Sequence, residues 1–331
     1  MDRYRQMTDT PGDAAINELI KSLPKEEIGN LLSYDSPSAE YPEAYQSFKN
    51  EYIKLPPVAN MDKIVLAGKV YRKYTQEIMM LLGAMSLPYC YAAANGARVL
   101  FMSEKIRTDP SKRLLETAQF VLGLFGEGAF ENEGAAYDLI TKTRLRHALV
   151  RFFIQHKPWD EAWGKPINQE DLAGTNLAFS LIIIKGLDRL GFRLTLAEKE
   201  AWMHNWYVIG YMLGIEEGLL YDDIRQASHL ERVIARRQLR TSDQGKALTA
   251  SLIAHLKASL PDSRMSTLVD AQIRLLLDDQ IADMLGVKPG KLPLRIARAF
   301  TDFQYIRNQI AEPKASYDTF QKELRKKAHP N

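Results

Sequence analysis

The chain has 331 residues, of which 46% are hydrophobic and 26% charged, and its 44 Lys and Arg against 41 Asp and Glu leave a net charge of +3. This composition supports a packed core and excludes disorder, and so even a charge balance does not call for a polyanionic partner. A single cysteine, Cys90, excludes a disulfide framework, a cysteine zinc site, an iron–sulfur cluster and thioether-linked haem within one chain, so metal chemistry falls to six histidines and the carboxylates.

Residues 1–57 read as an N-terminal arm punctuated by Pro37, Pro42, Pro56 and Pro57, with room only for short helices such as Asp13 to Leu23. No apolar signal core follows Met1. From Met61 onward the apolar residues recur at helical spacing, with little period-two alternation. One helix is expected from Met61 to Met85, stopping before Pro88, and another from Pro110 to Phe125, closed by Gly123, Gly126 and Gly128. A third runs from Ala135 to His156, and a fourth opens on the N-cap residue Asn168 and reaches Lys185. Further helices are expected over Thr195 to Leu213, Tyr221 to Leu239, Ser242 to Ala258 and from Ser266 to Tyr305, ahead of a solvated tail with Arg325-Lys326-Lys327. The most apolar run, Leu177 to Ile184, is well short of the about 20 residues a membrane span needs. The reading is an all-α protein, one large helical domain: arm 1–57, core 58–265 and C-terminal helices 266–331 packed on the core. It is expected in the cytoplasm, with no membrane span and no nucleic-acid partner.

Two constellations carry chemistry. On the 135–156 helix, His147 shares a face with Ala136, Ile140, Thr143, Val150 and Ile154. An imidazole in an apolar stripe either bonds to a backbone carbonyl or ligates a metal. Arg144, Arg146 and Arg151 flank it, which suits an anionic partner or a solvated basic face equally. On the 110–125 helix, Arg113, Glu116 and Thr117 project together at i, i+3 and i+4, as a surface ion pair or as a site.

The order and spacing of several segments resemble one family. They are Ala84-Met85-Ser86-Leu87, Asn95-Gly96-Ala97-Arg98-Val99-Leu100, Asp109 to Phe120, Arg144-Leu145-Arg146-His147-Ala148-Leu149-Val150-Arg151 and Pro166 to Ser180. Over roughly residues 60–220 the chain is similar to the DUF2236 family, the haem oxygenases of the latex clearing protein and mycophenolic-acid type. The resemblance implies non-covalent haem b in a globin-like helical core. It places the axial iron ligand at His147, with Arg144 and Arg151 beside the cofactor, and the distal arginine and threonine at Arg113 and Thr117. It further implies a haem-dependent oxygenase in which dioxygen attacks a carbon–carbon double bond of an apolar small molecule. Phe120, Phe152, Phe153 and Phe179 are candidates for the pocket wall. Where some relatives carry an alternative lysine ligand, this chain has Glu116, so lysine ligation is not expected, and Glu116 becomes a candidate proton carrier. The family's catalytic glutamate has no clear match; Glu104 is the nearest candidate.

Rival readings remain open at this level. One is a non-catalytic haem-binding or sensing protein. Another is a non-haem iron carboxylate enzyme using Glu198, Glu200, His204 and Glu216-Glu217. Thiolate ligation through Cys90, and a nucleic-acid surface of Arg232, Arg236, Arg237 and Arg240, are further rivals.

Overall fold

A computed structural model describes residues 1–34, 41–102, 110–132, 134–258 and 266–289, with Lys322. Glu104, the Arg325-Lys326-Lys327 tail and the expected helix beyond 289 lie outside the described residues. Among the described residues the protein is all-helical, with one isolated bridge between Ala93 and Leu239 and no helix long and apolar enough to cross a membrane.

Four helices precede the core pattern: α1 (Asp2–Arg5), α2 (Thr10–Ser22), α3 (Lys25–Leu31) and α4 (Glu43–Tyr52). The arm is therefore more ordered than its prolines imply. Prolines sit where a helix tolerates them: Pro11 in the first turn of α2, and Pro24 and Pro42 as N-caps of α3 and α4. Ile16, Leu19, Ile28, Tyr45 and Phe48 from these helices join the same hydrophobic core as Ile183, Trp202 and Ile209.

The expected 61–85 helix is divided. Helix α5 (Met61–Lys73) starts at Asn60, whose side chain accepts from Lys63 N–H, and ends at Tyr74, which leaves helical geometry at φ −120°, ψ 28°. Helix α6 (Thr75–Leu81) then widens into a π-turn at Leu82–Ser86 and continues as α7 (Leu87–Ala92) and α8 (Ala94–Phe101). Pro88 does not stop the chain. The π-turn leaves the following backbone N–H groups outside the α ladder, so a residue without an N–H fits in the first turn of α7.

The remaining helices are α9 (Ser111–Leu124), α10 (Ala135–Ile154), α11 (Gln169–Phe179), α12 (Leu181–Arg189), α13 (Leu196–Met212), α14 (Ile224–Gln238), α15 (Asp243–Ala258), α16 (Ser266–Leu277) and α17 (Asp279–Met284). Caps fix several starts. Asn168 Oδ1 accepts from Asp171 N–H at 3.0 Å, and Thr195 and Glu198 form a reciprocal capping box. Helix α13 packs along α5, α2 along α10, α9 along α10, and α15 against α7 and α8, which sets α10 and α11 in the interior.

Candidate active site

Helices α9 and α10 form an antiparallel hairpin whose register two contacts define. A Cβ at Gly123 would fall 2.2 Å from Leu139 Cδ1, so glycine there lets the two helices touch. One end further on, Arg146 Nη2 donates to Glu116 Oε1 at 3.3 Å. From α3 and its C-terminal continuation, Tyr34 closes the seam, bonding Thr143 Oγ1 at 2.6 Å and stacking on Phe120 at 6.2 Å. This register carries the first two turns of α9, with Arg113 and Thr117, alongside the His147 turn of α10.

His147 hydrogen-bonds to nothing among the described residues. Burial first, then the guanidinium charges of Arg151, Arg113 and Arg146, press its pKa down to about 3, so the ring is a neutral imidazole with a free nitrogen lone pair. Its side chain nevertheless keeps part of its accessible surface. Cys90 of α7 has the same double character: it is half-buried, yet burial drives its thiol up to about 12. The Arg113 charge acts on both Cys90 and Tyr91, whereas the exposed Thr175 hydroxyl of α11 donates to the Asp171 carbonyl at 2.9 Å. Helices α7, α9 and α10 thus bring Cys90, Arg113 and His147 into one neighbourhood. The guanidinium of Arg113 makes no ion pair or hydrogen bond among the described residues. Thr117 Oγ1 donates to the Arg113 carbonyl at 2.8 Å and keeps its lone pairs for another donor. A shallow cleft of about 520 Å³ between Tyr4 and α14, beside Arg225 and His229, includes none of these groups.

The family model described as ER-bound oxygenase mpaB/B'/rubber oxygenase, catalytic domain, matches residues 71–304. The chain belongs to this family. It is 26% identical over 183 residues to the rubber oxygenase of Streptomyces sp. (strain K30), an alignment covering 54% of this chain and 45% of that relative. The chain thus spans less than half the length of the curated relative it matches. In fold it is similar to a solved structure of latex clearing protein LCP in the closed state, with a TM-score of 0.77 and 22% identity over 97% of this chain and 90% of the other.

The other residues expected beside His147 make their own contacts. Arg144 turns to the N-terminal arm: its Nε and Nη2 donate to Asp9 at 2.6 and 2.8 Å, and its Nη1 donates to the Tyr52 and Met212 carbonyls at 3.3 Å each. Gly214 makes room for it, since a Cβ there would lie 2.6 Å from Arg144 Cζ at a backbone φ of +76°. With all these donors bound to protein, Arg144 is held as a structural cation. Arg151 is held by Asp13 through Nε at 2.6 Å, with Nη2 buried and unpartnered. Glu116 faces Arg146, which in turn lies over the Tyr34 ring at 4.4 Å, rather than a dry pocket. Phe120 is buried on Tyr34, Phe179 lies 5.4 Å from Trp206, and Phe152 meets Phe153 and His156.

The rival sites do not assemble. His204 donates through Nδ1 to Asp222 at 3.0 Å and accepts Asn60 N–H at Nε2, which leaves it no nitrogen for a metal. Glu198 caps α13, Glu200 is exposed, and no group of three or more His, Cys, Asp or Glu among the described residues is placed to hold a metal ion. A thiol pushed up to about 12 stays protonated, which disfavours Cys90 as a thiolate ligand. Of the α14 arginines, Arg237 binds Glu170 and Asp2, and Arg240 binds Asn95.

Sequence reasoning missed Cys90 as a neighbour of Arg113, and Asp9 and Asp13 as partners of Arg144 and Arg151. The one available signal was spacing. Two aspartates four residues apart on α2 complement two arginines seven apart on α10, but only once those helices are known to pack.

Proposed function

We propose that the protein is a haem b-dependent oxygenase acting on an apolar, unsaturated small molecule, with His147 as the axial ligand. The observation that carries this reading is the neutral His147 ring, which makes no hydrogen bond among the described residues, with the charge of Arg113, unpaired among them, acting on it. The donor set fits haem: a neutral imidazole nitrogen for iron, and a guanidinium nitrogen of Arg151, buried without an acceptor, for a carboxylate. When bound, haem would supply the dioxygen chemistry, and the protein would supply orientation and electrostatics. His147 would hold the iron from α10. Arg113, permanently charged, would stabilise negative charge developing on oxygen, and the Thr117 hydroxyl would fix its orientation by accepting or donating a hydrogen bond. Glu116, bound to Arg146, would act by holding the α9–α10 register rather than by carrying protons.

Absorption spectroscopy tests the reading directly. Purified protein reconstituted with haem b is expected to show a Soret band that shifts on reduction with dithionite. His147→Ala is expected to lose it. A variant with full occupancy and an unchanged spectrum removes His147 from the iron. Arg113→Ala and Thr117→Val are expected to keep the band and to lower turnover of an apolar alkene to carbonyl products by about 10²-fold or more for the arginine. Haem binding without product from any alkene would instead favour the non-catalytic haem protein.

A further inference from the structure

The N-terminal helix α2 reaches the His147 neighbourhood through one side chain. Asp13 Oδ1 accepts from Arg151 Nε at 2.6 Å, and Asp13 Oδ2 accepts from the Thr8 hydroxyl at 2.9 Å. Arg151 is 6% exposed. Its Nη1 reaches the Ile167 carbonyl only at 3.5 Å, and its Nη2 is buried with no acceptor. An unpaired donor on a buried cation is costly, so the geometry points to a missing anionic acceptor. Arg151 lies one helical turn beyond His147, and its charge acts on that ring more strongly than those of Arg113 or Arg146.

We propose that Asp13 is a positioning residue of the cofactor site: by gripping one side of the Arg151 guanidinium, it aims Nη2 at a carboxylate of the ligand bound at His147. Thr8, Asp13 and Arg151 then form a chain that makes the N-terminal arm part of the binding site. The inference rests on the reading of His147 as the axial ligand. It assigns the ligand's carboxylate, a haem propionate, to the Arg151 side.

The test compares haem b with its dimethyl ester, which lacks both carboxylates. Each pigment is loaded into the wild-type chain, Asp13→Asn, Arg151→Gln and Thr8→Val, and its loss to a scavenging apoglobin is followed by absorbance. Asp13→Asn and Arg151→Gln are expected to speed loss of haem b about tenfold while leaving loss of the ester within about twofold of wild type. Thr8→Val, which leaves both charges in place, is expected to move the same ratio by a smaller factor and guards against misfolding of the charge variants. Equal acceleration for both pigments, the result of a purely structural role, overturns the inference alone. Wild-type protein that takes up neither pigment overturns the axial-ligand reading and this inference with it.

Discussion

A histidine on the dry face of a helix must hide two ring nitrogens, and most do so by bonding to a main-chain oxygen. Among the described residues His147 does not, and its burial sets its acid behaviour. Its pKa is pressed from 6.5 to about 3, mainly by burial. Below pH 6.5 the unfolded chain takes up a proton that the folded state refuses until about pH 3. The stabilising effect of the neutral ring is therefore complete above 6.5 and is lost as pH falls toward 3, with a slope of up to about 1.4 kcal/mol per pH unit. Urea unfolding of the cofactor-free chain at pH 7, 5.5 and 4.5 measures it. His147→Leu should lower the slope by one proton, and an unchanged slope would show that the ring is solvated. The sequence made this residue visible because a single polar group in an apolar stripe stands out at helical spacing. Arg113 and Thr117 stood out by their i, i+4 spacing on one helix face and by the family resemblance. Cys90 did not, because nothing in a linear pattern says which turn of α7 faces α9. The pairing of Arg144 with Asp9 was not visible, because Asp9 belongs to an arm whose packing could not be read.

Most helices were legible as elements, since the apolar period, N-cap residues such as Asn168 and Thr195, and terminal glycines all agree. The errors lie where tertiary packing overrides local rules. Tyr74 breaks a continuous helical pattern where its ring packs edge-on to Phe192 at 5.5 Å, and Pro88 is carried through by a π-turn. Ser180, at φ −103° and ψ −81°, separates α11 from α12 although the apolar run continues. Gly123 also reads differently in three dimensions: the sequence offers it as a terminator, yet it lies inside α9 as the contact point with Leu139. Gly123→Ala should gain intrinsic helix propensity of about 1 kcal/mol and lose about 1–3 kcal/mol to overpacking. The balance is expected to lower the thermal midpoint. Leu139→Ala on top of Gly123→Ala should recover part of the loss, because it removes the atom struck. Equal melting of wild type and the glycine variant would show that α9 and α10 stand further apart.

At the scale of the whole molecule, the arm is fastened to the interior by charges as well as by its buried apolar side chains. Arg5 Nη1 donates to Asp171 at 2.7 Å, Asp9 takes two donors of Arg144, and Asp13 takes one of Arg151. Burial raises the pKa of Asp171 in spite of the opposing Arg5 charge, so this clasp is made at some desolvation cost. The Asp9–Arg144 pair decides whether the arm holds. Side chains of the two are 2% and 7% exposed, and Arg144 also satisfies the terminal carbonyl of α13 at Met212. Removing the carboxylate leaves a buried guanidinium without its counter-charge, a loss of about 3–5 kcal/mol. Asp9 is also the N-cap of α2, accepting Gly12 N–H at 3.2 Å, so Asp9→Ala would confound two effects. Asp9→Ser retains a capping oxygen and isolates the ion pair. Its unfolding free energy is expected to fall by about 3 kcal/mol or more, with the arm cleaved by protease before the core. Adding Arg144→Met to Asp9→Ser should cost less than the sum of the single changes, because the stranded charge leaves with the arginine. Additive losses in that cycle would mean that the two side chains are solvated separately and that apolar contacts of Ile16 and Leu19 alone hold α2 to α10.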